Sequence, residues 1–457
     1  MQLEGFEAIV GADRFSVSGG DLREHAQDQS SNAAHAPDAV AWPESREEVQ
    51  AILRVANEQR IPVTAWGAGT SLEGNPIPVR GGLVLDFSRM DSIVAVHLGD
   101  LQVTVQPGVR YKDLNAELAR EGLFFAPDPG ANATIGGMIA NNAAGLRTVR
   151  YGATKDNVLR LEAVLANGDV VRTGSRSVKQ SSGYDLTHLF AGSEGTLGII
   201  TEATLKLAPL PEHFCAVTAA FPAVEEAAQT VYEIMAYGLD PSALEILDTT
   251  GIQLLNTDEA LNLDELPHLF MEFTGPTRSS LDERLALVEG VCRENGCSHY
   301  HAAVDLAERN RIWDARHRFF EILVRSFPGH NHIIADVAVP ISGLPELVRR
   351  SQAILEELAI PGQIMGHAGD GNLHVTLFYP PEDDAARDLA MEMNARLVGE
   401  ALELGGTSTG EHGVGLGKQK HMLKEHGETT LGVMRGIKAL LDPNGILNPG
   451  KVIPSDG

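Results

Sequence analysis

Glycine is spread unevenly along this chain, and that distribution limits what the chain can fold into. Of 47 glycines in 457 residues, 22 fall in five windows, 66–82, 127–152, 192–198, 366–371 and 405–417, which together hold only 69 residues. Glycine weakens the interiors of helices and strands, so such density marks loops whose backbone comes close to something, and a ligand is the simplest candidate. Composition sets outer limits. Hydrophobic residues make up 43%, enough for large cores and too many for a disordered chain. Lys plus Arg is 36 and Asp plus Glu is 62, a formal charge of −26. That argues against a nucleic-acid partner, because phosphate contacts need clustered cations. The three cysteines, Cys215, Cys292 and Cys297, are too few for a disulfide scaffold and read as reduced thiols. Residues 1–15 carry acidic side chains and lack the basic and apolar regions of a signal peptide. No uncharged apolar run reaches the ~18 residues a membrane span needs. The expectation is a cytoplasmic protein without a transmembrane segment, with peripheral membrane contact and a homodimer left open.

Residues 1–37 are polar and weakly patterned and read as an N-terminal leader. Residues 38–212 are strand-rich. Pro43-Glu-Ser-Arg-Glu-Glu48 opens a helix, with Ser45 as cap and Glu48 three residues on. Strands are expected at 61–66, 82–86, 93–96, 101–105 and 197–207, a helix at 111–120, and a hairpin over 161–173 turning at Asn167-Gly168. Beyond Pro209-Leu-Pro211 the rhythm changes. Strands at 214–221, 243–247, 268–273, 298–303, 332–339 and 363–379 alternate with helices near 223–237, 278–295, 305–326, 342–358 and 384–404. Over 213–408 that pattern predicts helices covering one face of an antiparallel sheet. Residues 409–457 form a glycine-rich loop, a helix over 428–441 and an extended tail. The fold class is α+β.

The first window, Trp66-Gly-Ala-Gly-Thr-Ser-Leu-Glu-Gly74, follows a strand, and converging amides there suit an anion. It is no dinucleotide fingerprint, since position 72 is Leu, and an ordinary glycine-rich turn is the alternative. The second contains Pro127-Asp-Pro-Gly-Ala-Asn-Ala-Thr-Ile-Gly-Gly137, Asn141-Asn-Ala-Ala-Gly145 and Arg150-Tyr-Gly152. Its small side chains and bunched amides suit a large planar ligand better than an apolar core. The third, Gly192-Ser-Glu-Gly-Thr-Leu-Gly-Ile-Ile-Thr201, repeats that character. In this order the three windows resemble the FAD-binding domain of the vanillyl-alcohol oxidase, or p-cresol methylhydroxylase, type. The resemblance implies a two-part FAD-binding domain followed by a ferredoxin-like antiparallel-sheet substrate domain. It implies that Gly67, Ala68, Gly69, Thr70, Ser71 and Gly74 hold the pyrophosphate. Contacts to the rest of FAD would come from Asp128, Pro129, Thr134, Gly136, Gly137, Asn141, Gly145, Tyr151, Gly152, Glu194, Gly195, Ile200 and, from the tail, Asn448. Residues 66–74 contain no His or Cys, so the implied FAD is non-covalent.

The fourth window is Gly366-His-Ala-Gly-Asp-Gly-Asn-Leu-His374. With Asp370-Gly371 as a two-residue hairpin turn, His367 and His374 stand opposite each other on one face, their Cβ atoms about 4.5–5.5 Å apart. Two imidazoles so placed can share a divalent metal; the alternative is two unrelated surface histidines. The fifth, Gly405-Gly-Thr-Ser-Thr-Gly-Glu-His-Gly-Val-Gly-Leu-Gly417, adds a carboxylate, Glu411, and an adjacent base, His412. Its alternative is a mobile loop with incidental charges.

These two motifs resemble the FAD-dependent D-2-hydroxyacid dehydrogenases over residues 40–454. That group holds cytochrome-linked D-lactate dehydrogenases, glycolate oxidase flavoprotein subunits and D-2-hydroxyglutarate dehydrogenases. The resemblance implies a divalent metal, Zn or Mn, on His367, His374 and Glu411, with His412 as catalytic base. Arg316, in Arg311-Ile-Trp-Asp-Ala-Arg-His317, matches an Arg of the lactate branch that can grip a carboxylate. The strand Ile333-Ile-Ala-Asp-Val-Ala-Val-Pro340 lacks the Lys that the hydroxyglutarate branch places before the Asp. The expected reaction is therefore D-lactate to pyruvate, with hydride transfer to flavin N5 and electrons passed to cytochrome c, a quinone or an electron-transfer flavoprotein. The alternatives are glycolate or D-2-hydroxyglutarate in the same site, or a non-catalytic flavoprotein serving electron transfer or assembly.

Overall fold

The structure is a computed structural model describing residues 4–259 and 261–454. The chain forms two compact units. The first takes residues 4–144, 152–210 and 411–454, and the second takes 145–151 and 211–410.

In the first unit, Ser45 caps the helix Arg46–Gln59 by accepting from the Glu48 amide at 3.2 Å. Of the apolar stripe the sequence spacing predicts, Val49, Ile52, Leu53, Val55 and Ala56, all but Val55 are buried, and Val55 is half-buried at its edge. They pack with Phe6 and Val10 of the helix Glu4–Val10. The strand Phe15–Ser16 pairs antiparallel with Ala39–Ala41. The described residues of the expected leader 1–37, namely 4–37, are therefore part of this unit; their few buried apolar side chains are too sparse to register as a pattern. Ala39–Ala41, Leu83–Asp86 and Val63–Trp66 run parallel and complete a four-stranded sheet. A second, antiparallel sheet has the order Ile93–His97, Gln102–Val105, Ile199–Lys206, Val158–Val164, Val170–Gly174. Its core holds Val103, Leu114, Phe125, Ile135, Leu161 and Leu205. The last helical stretch, Met422–Leu441, is interrupted at Gly427 (φ 73°, ψ 163°, non-helical), so the helix expected over 428–441 follows that break and a short helical segment precedes it.

The second unit is built on one seven-stranded antiparallel sheet. Its order is His299–Ala303, His213–Ala220, His268–Gly275, Ala243–Leu247, Gly362–Gly366, Asn372–Tyr379, Asn331–Ala338. On one face, Val217, Leu269, Met271 and Val375 meet Val231, Val288, Leu347 and Leu397 of the helices Val224–Ala236, Arg278–Glu294, Leu344–Leu358 and Asp384–Glu403. Helices cover the other face too, contrary to expectation: Ala216, Leu247 and Phe270 meet Trp313, Phe319 and Ile322. The physical reason lies in the central strands. Ala243–Leu247 is buried at every position, so its apolar run reads on both faces. The helix expected over 305–326 is two, Leu306–His317 and Phe319–Ser326, divided at Arg318. Among the described residues, no helix is long and apolar enough to cross a membrane.

Candidate active site

The glycine windows of the first unit are joined to one another by close approach and hydrogen bonds. A Cβ on Gly67 would overlap the Thr134 hydroxyl, so the first window reaches the second only because residue 67 has no side chain. Thr134 caps the helix Ile135–Asn141, accepting from the Gly137 amide at 3.3 Å. The third window bonds to the second through its backbone: Gly192 N donates to Ile139 O (2.9 Å) and Glu194 N to Ala140 O (2.8 Å).

Glu194 is the hub of this arrangement. Its carboxylate accepts from Asn75 Nδ2 (2.7 Å), Val414 N (2.6 Å) and Gly415 N (2.9 Å). Burial raises its pKa, while these donors pull the other way. Asn448 ties in the tail, donating to Asn75 O (3.0 Å) and Glu194 O (2.7 Å). Lys451 donates to Ile77 O, and burial pushes its ammonium down to about 8. The backbone carbonyl of His412 accepts from Asn75 Nδ2 (3.4 Å) and Asn141 Nδ2 (3.5 Å), and His412 Nε2 lies 3.8 Å from Glu411 Oε1. Asn75 and Lys451 carry much of this linkage, and the sequence reading passed over both. Their one signal was a polar residue on either flank of a glycine loop. Asn75 Oδ1 is buried without a partner. An orphaned buried acceptor beside loops of small residues fits a large polar-edged cofactor such as FAD. Of the residues expected at FAD, Gly145 and Tyr151 lie in the segment 145–151 of the second unit, and the others lie in the first. Asn448→Ala is expected to strand two buried carbonyls, at about 1–3 kcal/mol each. The readout is a lower ratio of flavin to protein absorbance after gel filtration, and an unchanged ratio would contradict it.

In the second unit the two histidines come together by a route the hairpin reading missed. Met365, not His367, pairs with His374. Residues Ala368–Asp370 form a 3₁₀ turn, with Asp370 N donating to His367 O (3.0 Å) and Gly371 N to Ala368 O (3.0 Å). The connection therefore consumes more residues than Asp370-Gly371, and the register slips by two. A two-residue slip keeps side chains on the same face, where a one-residue slip would reverse them. His367 becomes a neighbour of His374 beyond the end of the ladder, and their ring centroids are 5.4 Å apart at 90°.

A carboxylate stands behind each ring. His367 Nδ1 lies 2.8 Å from Glu245 Oε1. His374 is the direct cross-strand partner of Asp336, with Nδ1 3.5 Å from Asp336 Oδ1. Two imidazoles backed by carboxylates are the donor set a divalent metal takes. Arg316 is 4% exposed, and its Nη2 donates to Glu245 Oε2. Its Nε is buried without a partner, so the guanidinium keeps an unused donor. Glu245 went unremarked in the sequence reading. The available signal was a carboxylate in the middle of an otherwise apolar buried strand, Ala-Leu-Glu-Ile-Leu. The unit ends at Gly410, where a Cβ would overlap Asn372 and crowd Asp336. Glu411 is the next residue along the chain.

The FAD binding domain family matches residues 37–174, and the FAD linked oxidases, C-terminal domain, match residues 210–452, more than half of the chain. The chain belongs to the FAD-linked oxidases. Among its relatives is the mitochondrial D-lactate dehydrogenase [cytochrome] of Arabidopsis thaliana, 41% identical over 432 residues, 94% of this chain and 76% of the relative. The glycolate oxidase subunit GlcD of Bacillus subtilis is 36% identical over 452 residues, 98% of this chain and 96% of that one. The fold is also that of 4-ethylphenol oxidase from Gulosibacter chungangensis (TM-score 0.79, 20% identity, 99% of this chain and 97% of that one). It is likewise that of p-cresol methylhydroxylase (TM-score 0.78, 18% identity, 98% and 95%). This FAD-linked oxidase thus has the p-cresol methylhydroxylase-type fold expected from its glycine windows and works as an FAD-dependent oxidoreductase.

Proposed function

We propose that this FAD-linked oxidase is a D-2-hydroxyacid dehydrogenase, with D-lactate oxidised to pyruvate as its first candidate reaction. The observation that carries the reading is the constellation of the second unit: His367 and His374 ring to ring, with Arg316 joined to His367 through Glu245. Bound non-covalent FAD supplies the hydride acceptor at N5, and a divalent ion, Zn or Mn, on His367, His374 and Glu411 supplies Lewis acidity toward the substrate oxygens. Arg316 binds the substrate carboxylate through its free donor edge and so orients the Cα–H. His412 takes the hydroxyl proton on an imidazole nitrogen. Its backbone carbonyl is held by Asn75 and Asn141, which limits where the ring can swing. An anionic substrate entering a chain of net charge −26 needs a local positive centre, and Arg316 contributes one.

The absence of a Lys before Asp336 favours a monocarboxylate with a small side chain. The glycolate oxidase subunit among the relatives supports glycolate as the second candidate. The word cytochrome in the Arabidopsis thaliana relative's name makes cytochrome c the first electron acceptor to try, ahead of a quinone or an electron-transfer flavoprotein. The test is a substrate panel with a dye acceptor: D-lactate, L-lactate, glycolate and D-2-hydroxyglutarate. The expected order of kcat/KM puts D-lactate first, glycolate next and L-lactate at background. Preference for D-2-hydroxyglutarate would overturn the monocarboxylate reading.

A further inference from the structure

We infer that Glu245 is a positioning residue that sets the protonated nitrogen of His367 and the angle of the Arg316 guanidinium together. The inference rests on the proposed roles of those two residues. Glu245 is fully buried, on the strand Ala243–Leu247, and its two oxygens are divided between two partners. Oε1 faces His367 Nδ1 at 2.8 Å, and Oε2 accepts from Arg316 Nη2.

Three consequences follow from elementary chemistry. A carboxylate has no proton to donate, so the bond to His367 requires the hydrogen on Nδ1. That leaves the Nε2 lone pair as the donor a metal can use, the role carboxylates commonly serve behind ligating histidines. The bond to Arg316 uses one donor of the guanidinium and leaves Nε, buried and unpartnered, for another acceptor. Finally, each partner needs its own acceptor oxygen. A carboxylate can serve both, while an amide, with one acceptor end and one donor end, can serve only one.

Glu245→Gln is therefore a specific probe. If the amide oxygen stays with His367, the NH₂ group confronts Arg316; if it turns, the NH₂ group confronts His367. The expected result is an affinity for Mn²⁺ at least about tenfold weaker, since outer carboxylates behind metal ligands are worth roughly 10–100-fold. A raised KM for D-lactate is expected beside it, with FAD content unchanged. Glu245→Asp keeps both acceptor oxygens and is expected to recover much of both. Mn²⁺ affinity is measured by titration of chelator-treated, FAD-loaded protein, so it is read without turnover. A measurement on the unaltered protein guards against a variant that fails to fold. In ¹⁵N-histidine-labelled, metal-free protein, the His367 resonance, assigned by its loss in His367→Gln, should show the Nδ1–H tautomer.

The outcomes separate this inference from the functional reading beneath it. If the unaltered protein takes up no Mn²⁺ or Zn²⁺, the metal reading fails. If it binds metal but Glu245→Gln binds it equally well, or His367 carries its hydrogen on Nε2, the positioning role of Glu245 fails while the functional reading stands.

Discussion

His412→Ala is expected to lower kcat by about 10²–10⁴-fold, the usual contribution of a positioned general base. KM for D-lactate and FAD content should change little. In the proposed mechanism the side chain takes the hydroxyl proton and Arg316 binds the carboxylate, whereas the linkage among the glycine windows uses the backbone of residue 412. Since those hydrogen bonds end on the carbonyl oxygen, alanine retains them. Stopped-flow reduction of the flavin by D-lactate reads the effect directly, because it isolates the oxidative step from reoxidation. An unchanged reduction rate would remove His412 from the mechanism and leave Glu411 as the remaining functional group of that motif.

The second large effect is expected from removing the divalent ion. Treatment with a chelator, or the substitution His374→Ala, should reduce turnover on the order of 10³-fold, the several kcal/mol that a Lewis acid contributes. FAD should remain bound in both cases. The hydrogen bonds joining the windows, in which the Glu194 carboxylate accepts from Asn75, Val414 and Gly415 and Asn448 donates to Asn75 and Glu194, all lie within the first unit, whereas His367 and His374 belong to the second. The chelated protein should recover on adding Mn²⁺ or Zn²⁺, and His374→Ala should not. His374 is buried opposite Asp336, so its truncation also removes the imidazole that packs 3.5 Å from that carboxylate. Chelation is therefore the cleaner of the two experiments. Full activity in a preparation shown to be metal-free would contradict the account.

What could be read from the sequence followed a physical rule. Features set by neighbours along the chain were visible: the Ser45 cap, the apolar stripe of the helix Arg46–Gln59, and the hairpin across Asn167-Gly168, whose strands Val158–Val164 and Val170–Gly174 do pair. Features set by distant parts of the chain were not. The register of His374 depends on a 3₁₀ turn whose hydrogen bonds no dipeptide preference reveals, and the pairing came out two residues from its expected place. The two histidines still met, because that slip preserves the face. Glu245 was hidden for a related reason. A buried carboxylate is tolerable only with partners, and its partners stand 71 and 122 residues away. Coverage of both faces of the seven-stranded sheet was likewise encoded in strands without alternation, which period alone cannot distinguish from a buried helix segment. Residues 4–37 belong to the first unit through Phe6 and Val10, too few apolar positions to form a period.

The central claim is that a D-2-hydroxyacid delivers its electrons to the FAD of this chain. It is tested most directly by mixing the oxidised, metal-replete protein with D-lactate under anaerobic conditions and following the flavin absorbance. The account predicts bleaching by D-lactate, none by L-lactate, and at least about 10²-fold slower bleaching after chelation. A flavin that stays yellow with D-lactate, glycolate and D-2-hydroxyglutarate alike would contradict it and leave a flavoprotein of electron transfer or assembly.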